Sequence, residues 1–144
     1  MPKSTAMKNS LTLVILVLLS VSSLFAQRKN YNVVFDITSK DTIDHKLVLR
    51  WVGEVTENNP EANVEVVFYS KSLDMINKDK SIVADRVMEY AKNPHIKFKV
   101  CEIAMKNNNV EKSQLLPGVG TVPDGIYEII SKQHEGWGYI KVSH

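Results

Sequence analysis

Ile96-Lys97-Phe98-Lys99-Val100-Cys101-Glu102-Ile103-Ala104-Met105-Lys106 is the stretch on which the reading of this chain turns. Its first half alternates apolar and basic residues, as a half-buried strand does. Its second half is made of helix-prone residues. Cys101, the single cysteine, stands at the joint. A thiol at a helix start faces unpaired backbone N–H groups and the positive end of the helix dipole, and both favour the thiolate. If the alternation continues, His95, Lys97, Lys99 and Cys101 share one side and Ile96, Phe98 and Val100 share the other. Two ammonium groups then line the approach to the sulfur, and Glu102 opposes them. The alternative is a small buried residue packed as a valine would be, since free cysteine is among the most buried types.

Outward from this joint the same alternation of elements repeats. Tyr31 to Ile37 is a strand, rich in Val33, Val34, Phe35 and Ile37. Asp41 to Asn58 is a helix. Leu47, Val48, Trp51, Val52 and Val55 form its apolar stripe, Asp41 caps it and Asn58-Asn59-Pro60 stops it. Val64 to Tyr69 is a second strand. Ser81 to Lys92 is a second helix, with Val83, Val87, Tyr90 and Ala91 inward and Asn93-Pro94 as the stop.

Beyond Cys101 a short helix runs into Asn107-Asn108-Asn109, and Val110 to Leu116 holds another turn or so of helix. Pro117-Gly118 is a turn and Val119 to Val122 a short strand. Pro123-Asp124 opens a last helix, Gly125 to His134, with Ile126, Ile129 and Ile130 as its stripe. Gly136 breaks it, and Tyr139 to Val142 is a final strand. Five strands alternating with helices predict an α/β domain with a mainly parallel sheet and helices on both faces. In such sheets reactive groups lie beyond the carboxyl ends of the strands, where Cys101 and Asp36 both fall.

The N-terminus reads as an export signal. Lys3 and Lys8 begin it, Leu11 to Leu19 is almost wholly apolar, and Leu24-Phe25-Ala26 ends in a small residue before a predicted cut. The apolar run is shorter than the ~20 residues a membrane-spanning helix needs. No cysteine lies near the cut, which excludes lipid anchoring there. Removal of residues 1–26 leaves 118 residues, with 16 basic side chains balancing 16 acidic ones. That length suits one domain, 27–144. Its neutrality gives no electrostatic footprint for nucleic acid or an anionic membrane. The expected location is the periplasm or the exterior. One cysteine cannot make an intrachain disulfide, so stability must come from packing, and subunit association would add to it.

One cysteine also excludes a CxxC dithiol oxidoreductase. His45, His95, His134 and His144 show no HxxxH or HxH spacing, and no zinc signature is present. Gly118-Val119-Gly120 lacks the third glycine of a phosphate loop, and no GxSxG occurs. Aromatic residues are too scattered for a base-stacking platform. His134 and His95 are the histidines available to pair with Cys101. No cofactor is implied.

The segment Phe98 to Lys106 resembles the cysteine segment of the DsrE/DsrF-like superfamily, in which a strand ends in a cysteine followed by a helix with small residues. The tail Leu115-Leu116-Pro117-Gly118-Val119-Gly120-Thr121-Val122-Pro123-Asp124-Gly125-Ile126-Tyr127-Glu128-Ile129 is similar to the end of small members. So is Gln133-His134-Glu135-Gly136-Trp137-Gly138-Tyr139-Ile140-Lys141. The resemblance implies a three-layer α/β/α sandwich and assembly as trimers or hexamers. In the sulfur-relay branch, the cysteine matching Cys101 accepts sulfane sulfur as a persulfide and passes it to a partner protein. Asn107-Asn108 stands near the place where some relay members carry an Arg-Gly pair.

Two functions follow. In the first, Cys101 is a sulfur-carrying nucleophile, supported by Lys97 or Lys99 and the helix-start amides, with a donor or acceptor protein as partner. In the second, the chain is an oligomeric module that binds a small ligand without catalysis. Its cysteine is structural, and Trp51, Tyr69, Trp137 and Tyr139 are candidates to line the pocket.

Overall fold

The computed structural model describes residues 31–144. The predicted export signal, residues 1–26, lies outside them. Five strands form one fully parallel sheet: β1 (Val33–Ile37), β2 (Val64–Phe68), β3 (Ile96–Cys101), β4 (Val119–Val122) and β5 (Gly138–Lys141). Their order across the sheet is β4-β3-β2-β1-β5. The helices are α1 (Thr42–Asn58), α2 (Ala84–Tyr90), α3 (Glu102–Asn107) and α4 (Gly125–His134). Two short 3-10 segments, Ser72–Ile76 and Lys112–Gln114, complete the elements.

Strand periodicity divides the sheet into two faces. Phe35, Ile37, Val64, Val66, Phe68, Ile96, Phe98 and Val100 join the larger core with Val48, Leu49 and Val52 of α1 and Val87 of α2. Phe68 and Phe98 lie 6.2 Å apart, centroid to centroid, and Phe35 stacks at 6.3 Å on Trp51. The opposite face has a much smaller apolar cluster, Val34, Val67 and Ile129, the last from α4. The expected α/β/α layering is therefore present, with α1 and α2 on one side and α4 on the other.

Local chemistry sets the element ends. Asp41 caps α1, its carboxylate accepting from the Ile43 amide at 2.8 Å. Asp124 caps α4 in the same way, accepting from Ile126 at 2.8 Å. Gly118 turns into β4 at φ +88°, and a Cβ there would lie 2.5 Å from the Cβ of Ala91.

Several expectations shift, among them the final strand, which spans Gly138–Lys141 rather than Tyr139 to Val142, and the second strand, which ends at Phe68 rather than Tyr69. The first strand begins at Val33 rather than Tyr31. The second helix begins at Ala84 rather than Ser81 and ends at Tyr90. The Ser81 hydroxyl instead accepts from the Val83 amide, holding the chain in a turn before the helix. The segment after β2, left without an element by periodicity, is a 3-10 turn that buries Leu73, Met75 and Ile76. It is tied down by the buried Ser72 hydroxyl, which donates to the carbonyls of Ile37 at 2.8 Å and Tyr69 at 2.9 Å.

Candidate functional site

Parallel strands bring their carboxyl ends to one edge, and there Ile37, Phe68 and Cys101 deliver the chain into three neighbouring loops or helices. Cys101 is the last residue of β3 and the N-cap residue of α3, with an extended backbone and a side chain that makes no capping hydrogen bond. The joint read from sequence is thus present as a strand-to-helix corner.

Cys101 forms part of the wall of a cleft of about 470 Å³. Tyr69, Ser70 and Lys71 line it from the loop after β2. Ile103, Ala104, Asn107 and Asn108 line it from α3, and Asp124 and Ile126 from the start of α4. The cysteine itself is only 5% exposed and also touches the larger core. Gly125 explains part of that cover: a Cβ placed on it would lie 3.1 Å from Cys101 Cβ and 3.2 Å from Val67 Cγ1. Without a side chain, the first turn of α4 rests directly on the cysteine. Asn108 closes the opposite side, its amide donating to the carbonyls of Ser70 at 2.9 Å and Ala104 at 2.8 Å. Ser70 holds a left-handed backbone, φ +58°, at this crossing.

Behind Tyr69 lies a buried polar network. Asp36, 4% exposed at the end of β1, accepts from the Tyr69 hydroxyl at 3.0 Å and the Tyr139 hydroxyl at 2.7 Å. Lys141 donates to it at 2.9 Å and to the Thr38 hydroxyl at 2.9 Å, while lying 5.5 Å from the Tyr69 ring centroid. Burial, then the charge and hydrogen bond of Asp36, push the Tyr69 phenol up, with smaller contributions from Tyr139 and Cys101. Burial and the hydrogen bond to Asp36 push Tyr139 up to about 12. Both phenols therefore remain donors at neutral pH. The network fills the crevice between β1 and β5, where the direction of strand succession reverses and open α/β sheets commonly bind ligands. Here protein groups occupy it, and the open space lies beside Cys101.

The other candidate residues are not all brought to the sulfur. Lys99 shares the face of Cys101, as alternation required, but its Nζ lies over Gly120, 3.0 Å from where a Cβ would stand, and its charge acts on Glu65. Lys97 is exposed, in register with Glu65. Neither lysine lines the cleft; the lysine that does is Lys71. Glu102 points to Thr121 and Lys112, accepting at 2.7 Å and pairing at 2.8 Å. Those hydrogen bonds from Lys112 and Thr121 hold its carboxyl below the usual range.

His134 ends α4, a helix length of ~14 Å from the turn that covers Cys101. His95 precedes β3, ~20 Å along the strand from the cysteine, with its Nδ1 3.1 Å from the Asn63 amide oxygen. A Cys–His pair is therefore not assembled. Of the four aromatics considered for a pocket, only Tyr69 lines the cleft. Trp51 stacks in the core, Trp137 packs on the small cluster and Tyr139 serves Asp36. Among the described residues no group of three or more His, Cys, Asp or Glu side chains is placed to hold a metal ion. No helix among them is long and apolar enough to cross a membrane.

Ser70 and Lys71 are not legible in the sequence, because loop residues carry no periodic signal; Asn108 is legible only as the polar end of a short helix. Gly125 had a signal: a glycine just after the capping Asp124 is unusual where a better helix former would serve, and it marks a close approach.

No curated protein is significantly similar to the chain. Solved structures are. MTH1491, a protein of unknown function from Methanobacterium thermoautotrophicum, is 29% identical and superimposes with a TM-score of 0.73 over 77% of this chain and 98% of its own. BT1422, a conserved protein of unknown function from Bacteroides thetaiotaomicron, shares the fold at 13% identity, with a TM-score of 0.66 over 81% of this chain and 98% of its own. The ychN protein of E. coli does so at 10% identity and a TM-score of 0.61, covering 76% of this chain and 96% of its own. The model of the DsrE/DsrF-like family matches residues 30–142, from just before β1 to just after β5, and the chain belongs to that family.

Proposed function

We propose that this chain is a sulfur-handling thiol protein in which Cys101 accepts sulfane sulfur and carries it as a persulfide. The observation that carries the reading is the position of Cys101, the one cysteine of a DsrE/DsrF-like chain. It stands in the wall of a cleft at the carboxyl edge of the sheet, where α3 and α4 begin. In the step, the Cys101 thiolate attacks the outer sulfur of a persulfide donor. A bond forms from Sγ to that sulfur, the donor's S–S bond breaks, and the donor leaves as a thiolate that takes up the proton released when Cys101 ionised. No oxidant is consumed and no second cysteine is needed. One added sulfur atom requires little room, and the cleft beside Cys101 has it.

The reading extends to location and assembly. The charged, apolar and small-residue pattern of residues 1–26 supports export to the periplasm or beyond. Ile126, Tyr127 and Ile130 on α4 and Tyr139 and Ile140 on β5 are exposed large apolar side chains, which supports self-association; assembly as a trimer or hexamer is what the family resemblance implies.

The test is intact-mass measurement of the folded, mature protein after exposure to a low-molecular-weight persulfide. The expected result is a gain of one sulfur that disappears in Cys101→Ser. An unchanged mass, with the thiol labelled only after unfolding, would overturn it. That outcome would favour the second reading, a ligand-binding module with a structural cysteine, to which the near-complete burial of Cys101 lends weight.

A further inference from the structure

Glu65 is the second residue of β2, flanked along the strand by buried valines, and is itself only 4% exposed. Its Oε1 is buried and has no hydrogen-bond partner among the described residues. Across the sheet its register neighbours are Val34 on β1 and Lys97 on β3. The face it occupies is the one α4 covers, and the side chain that meets it there is a second carboxyl, Glu128.

The charged groups around this meeting point can be named from every side. From α4 come Glu128 and Lys132; Lys132 lies 3.7 Å from Glu128 and 4.8 Å from the Trp137 ring centroid. From β3 come Lys99 and the exposed Lys97. Asp36, farther along β1 on the same face, is already bonded to Tyr69, Tyr139 and Lys141.

Glu65 is buried while the Glu128 side chain is 25% exposed, and two facing carboxyl groups of which one is buried cannot both ionise without cost. With one proton between them, they form a short charge-assisted O–H···O bond. Otherwise α4 holds this face mainly through Ile129 on Val34 and Val67, with Trp137 alongside. Such a small apolar contact leaves the helix dependent on its polar one. The same helix begins with Gly125, whose close packing on Cys101 covers the thiol.

We propose that Glu65 and Glu128 share one proton and form a latch, so that loss of the proton loosens α4 and uncovers Cys101. Below the transition the helix is seated and the thiol covered. Above it, two facing carboxylates repel, water enters to solvate Glu65, and the first turn of α4 lifts. Burial, then the hydrogen bond and charge of Glu128, push Glu65 up to about 7, against the opposing pull of Lys132 and Lys99, which places the change near neutrality. The regulatory meaning rests on Cys101 being the working thiol; the latch does not.

The experiment is amide hydrogen exchange on the full chain, compared between wild type and Glu65→Gln after correction for intrinsic rates. In wild type, α4 protection is expected to fall about tenfold between about pH 6 and about pH 9. In Glu65→Gln the amide donates to Glu128 at every pH, and protection stays level. The Cys101 labelling rate, taken as the ratio of wild type to variant so that thiol ionisation cancels, is expected to rise by a similar factor. Glu128→Gln, at a half-buried position, gives the same level profile and covers the case in which Glu65→Gln fails to fold. Identical α4 profiles in wild type and either folded variant would overturn the latch. A pH-dependent helix in a protein that takes up no sulfur would leave the latch standing and remove the sulfur-carrier reading. Sulfur uptake with a pH-independent helix would do the reverse.

Discussion

The two faces of the sheet are built for different ends. Under α1 and α2 the strands present Phe35, Phe68, Phe98 and their aliphatic neighbours, and the contact is nearly all carbon. Under α4 the same strands present Asp36, Glu65, Lys97, Lys99 and Cys101, joined by Tyr69 just after β2, with only Val34 and Val67 buried against Ile129. The strands are shared, so the difference is purely one of parity: odd positions in β1 and even positions in β2 and β3 make the core, and the remainder carry the chemistry. A sheet anchored so firmly on one side can hold polar and titratable groups on the other without losing its fold.

That contrast predicts its largest break on the apolar face. Phe98 is fully buried beside Phe68, and Phe98→Ala removes a ring that neighbouring side chains cannot replace. Urea denaturation should show a loss of about 3–5 kcal/mol, the cost usual for a buried aromatic truncated to alanine. A loss no larger than that of a surface substitution would mean that the apolar face is not the anchor.

The next effect belongs to the polar face and is read through pH. Glu65 is raised from its unfolded value to about 7, so the folded chain holds a proton that the unfolded chain releases. Stability from this group is fully present below the unfolded value of 4.5 and is lost as pH rises through about 7. After discount for partial screening, the loss should be about 2 kcal/mol. His45 works in the opposite sense. Burial lowers it, so its contribution grows as pH rises toward its ordinary 6.5. The difference in stability between wild type and Glu65→Gln, measured across this range, isolates the carboxyl. A pH-independent difference would show that Glu65 is no more perturbed than a surface glutamate.

How much of this could be read from sequence follows the same division. The bounds of β4 and α4, and the corner at Cys101, were legible because period-two and period-3.6 patterns are bounded there by glycine, proline and a capping aspartate. The turn Ser72–Ile76 was not, because its anchor is a serine hydroxyl reaching carbonyls of two different strand ends. Glu65 is a lone charge inside an apolar strand, a signal that the sequence reading did not take up, and its partner carried no signal at all. Contact between Glu65 and Glu128 depends on the return of α4 across the face opposite α1, which strand order alone decides. The same is true of Asp36: its place at a strand end was legible, but Tyr69, Tyr139 and Lys141 meet it only because β5 lies beside β1.

The smallest expected effect tests where the two faces come closest in role, at Gly125. This residue is the point at which a helix of the polar face presses on a cysteine that also touches the apolar core. Gly125→Ala adds one methyl group 3.1 Å from Cys101 Cβ and 3.2 Å from Val67 Cγ1. Cys101 Cβ is fixed to the backbone of β3 and cannot yield, so the first turn of α4 must move. Alanine also favours the helix, and the two influences oppose each other, leaving a net loss of about 1 kcal/mol or less. Stability is therefore a poor gauge of this substitution, and thiol access is a good one. Cys101 should label several-fold faster at fixed pH in Gly125→Ala than in wild type, with little change in the urea midpoint. Equal labelling rates would mean that the cover over the sulfur is set by α3 and Asn108 rather than by α4. The separation between a face that holds the fold and a face that governs the thiol would then have to be redrawn along β3.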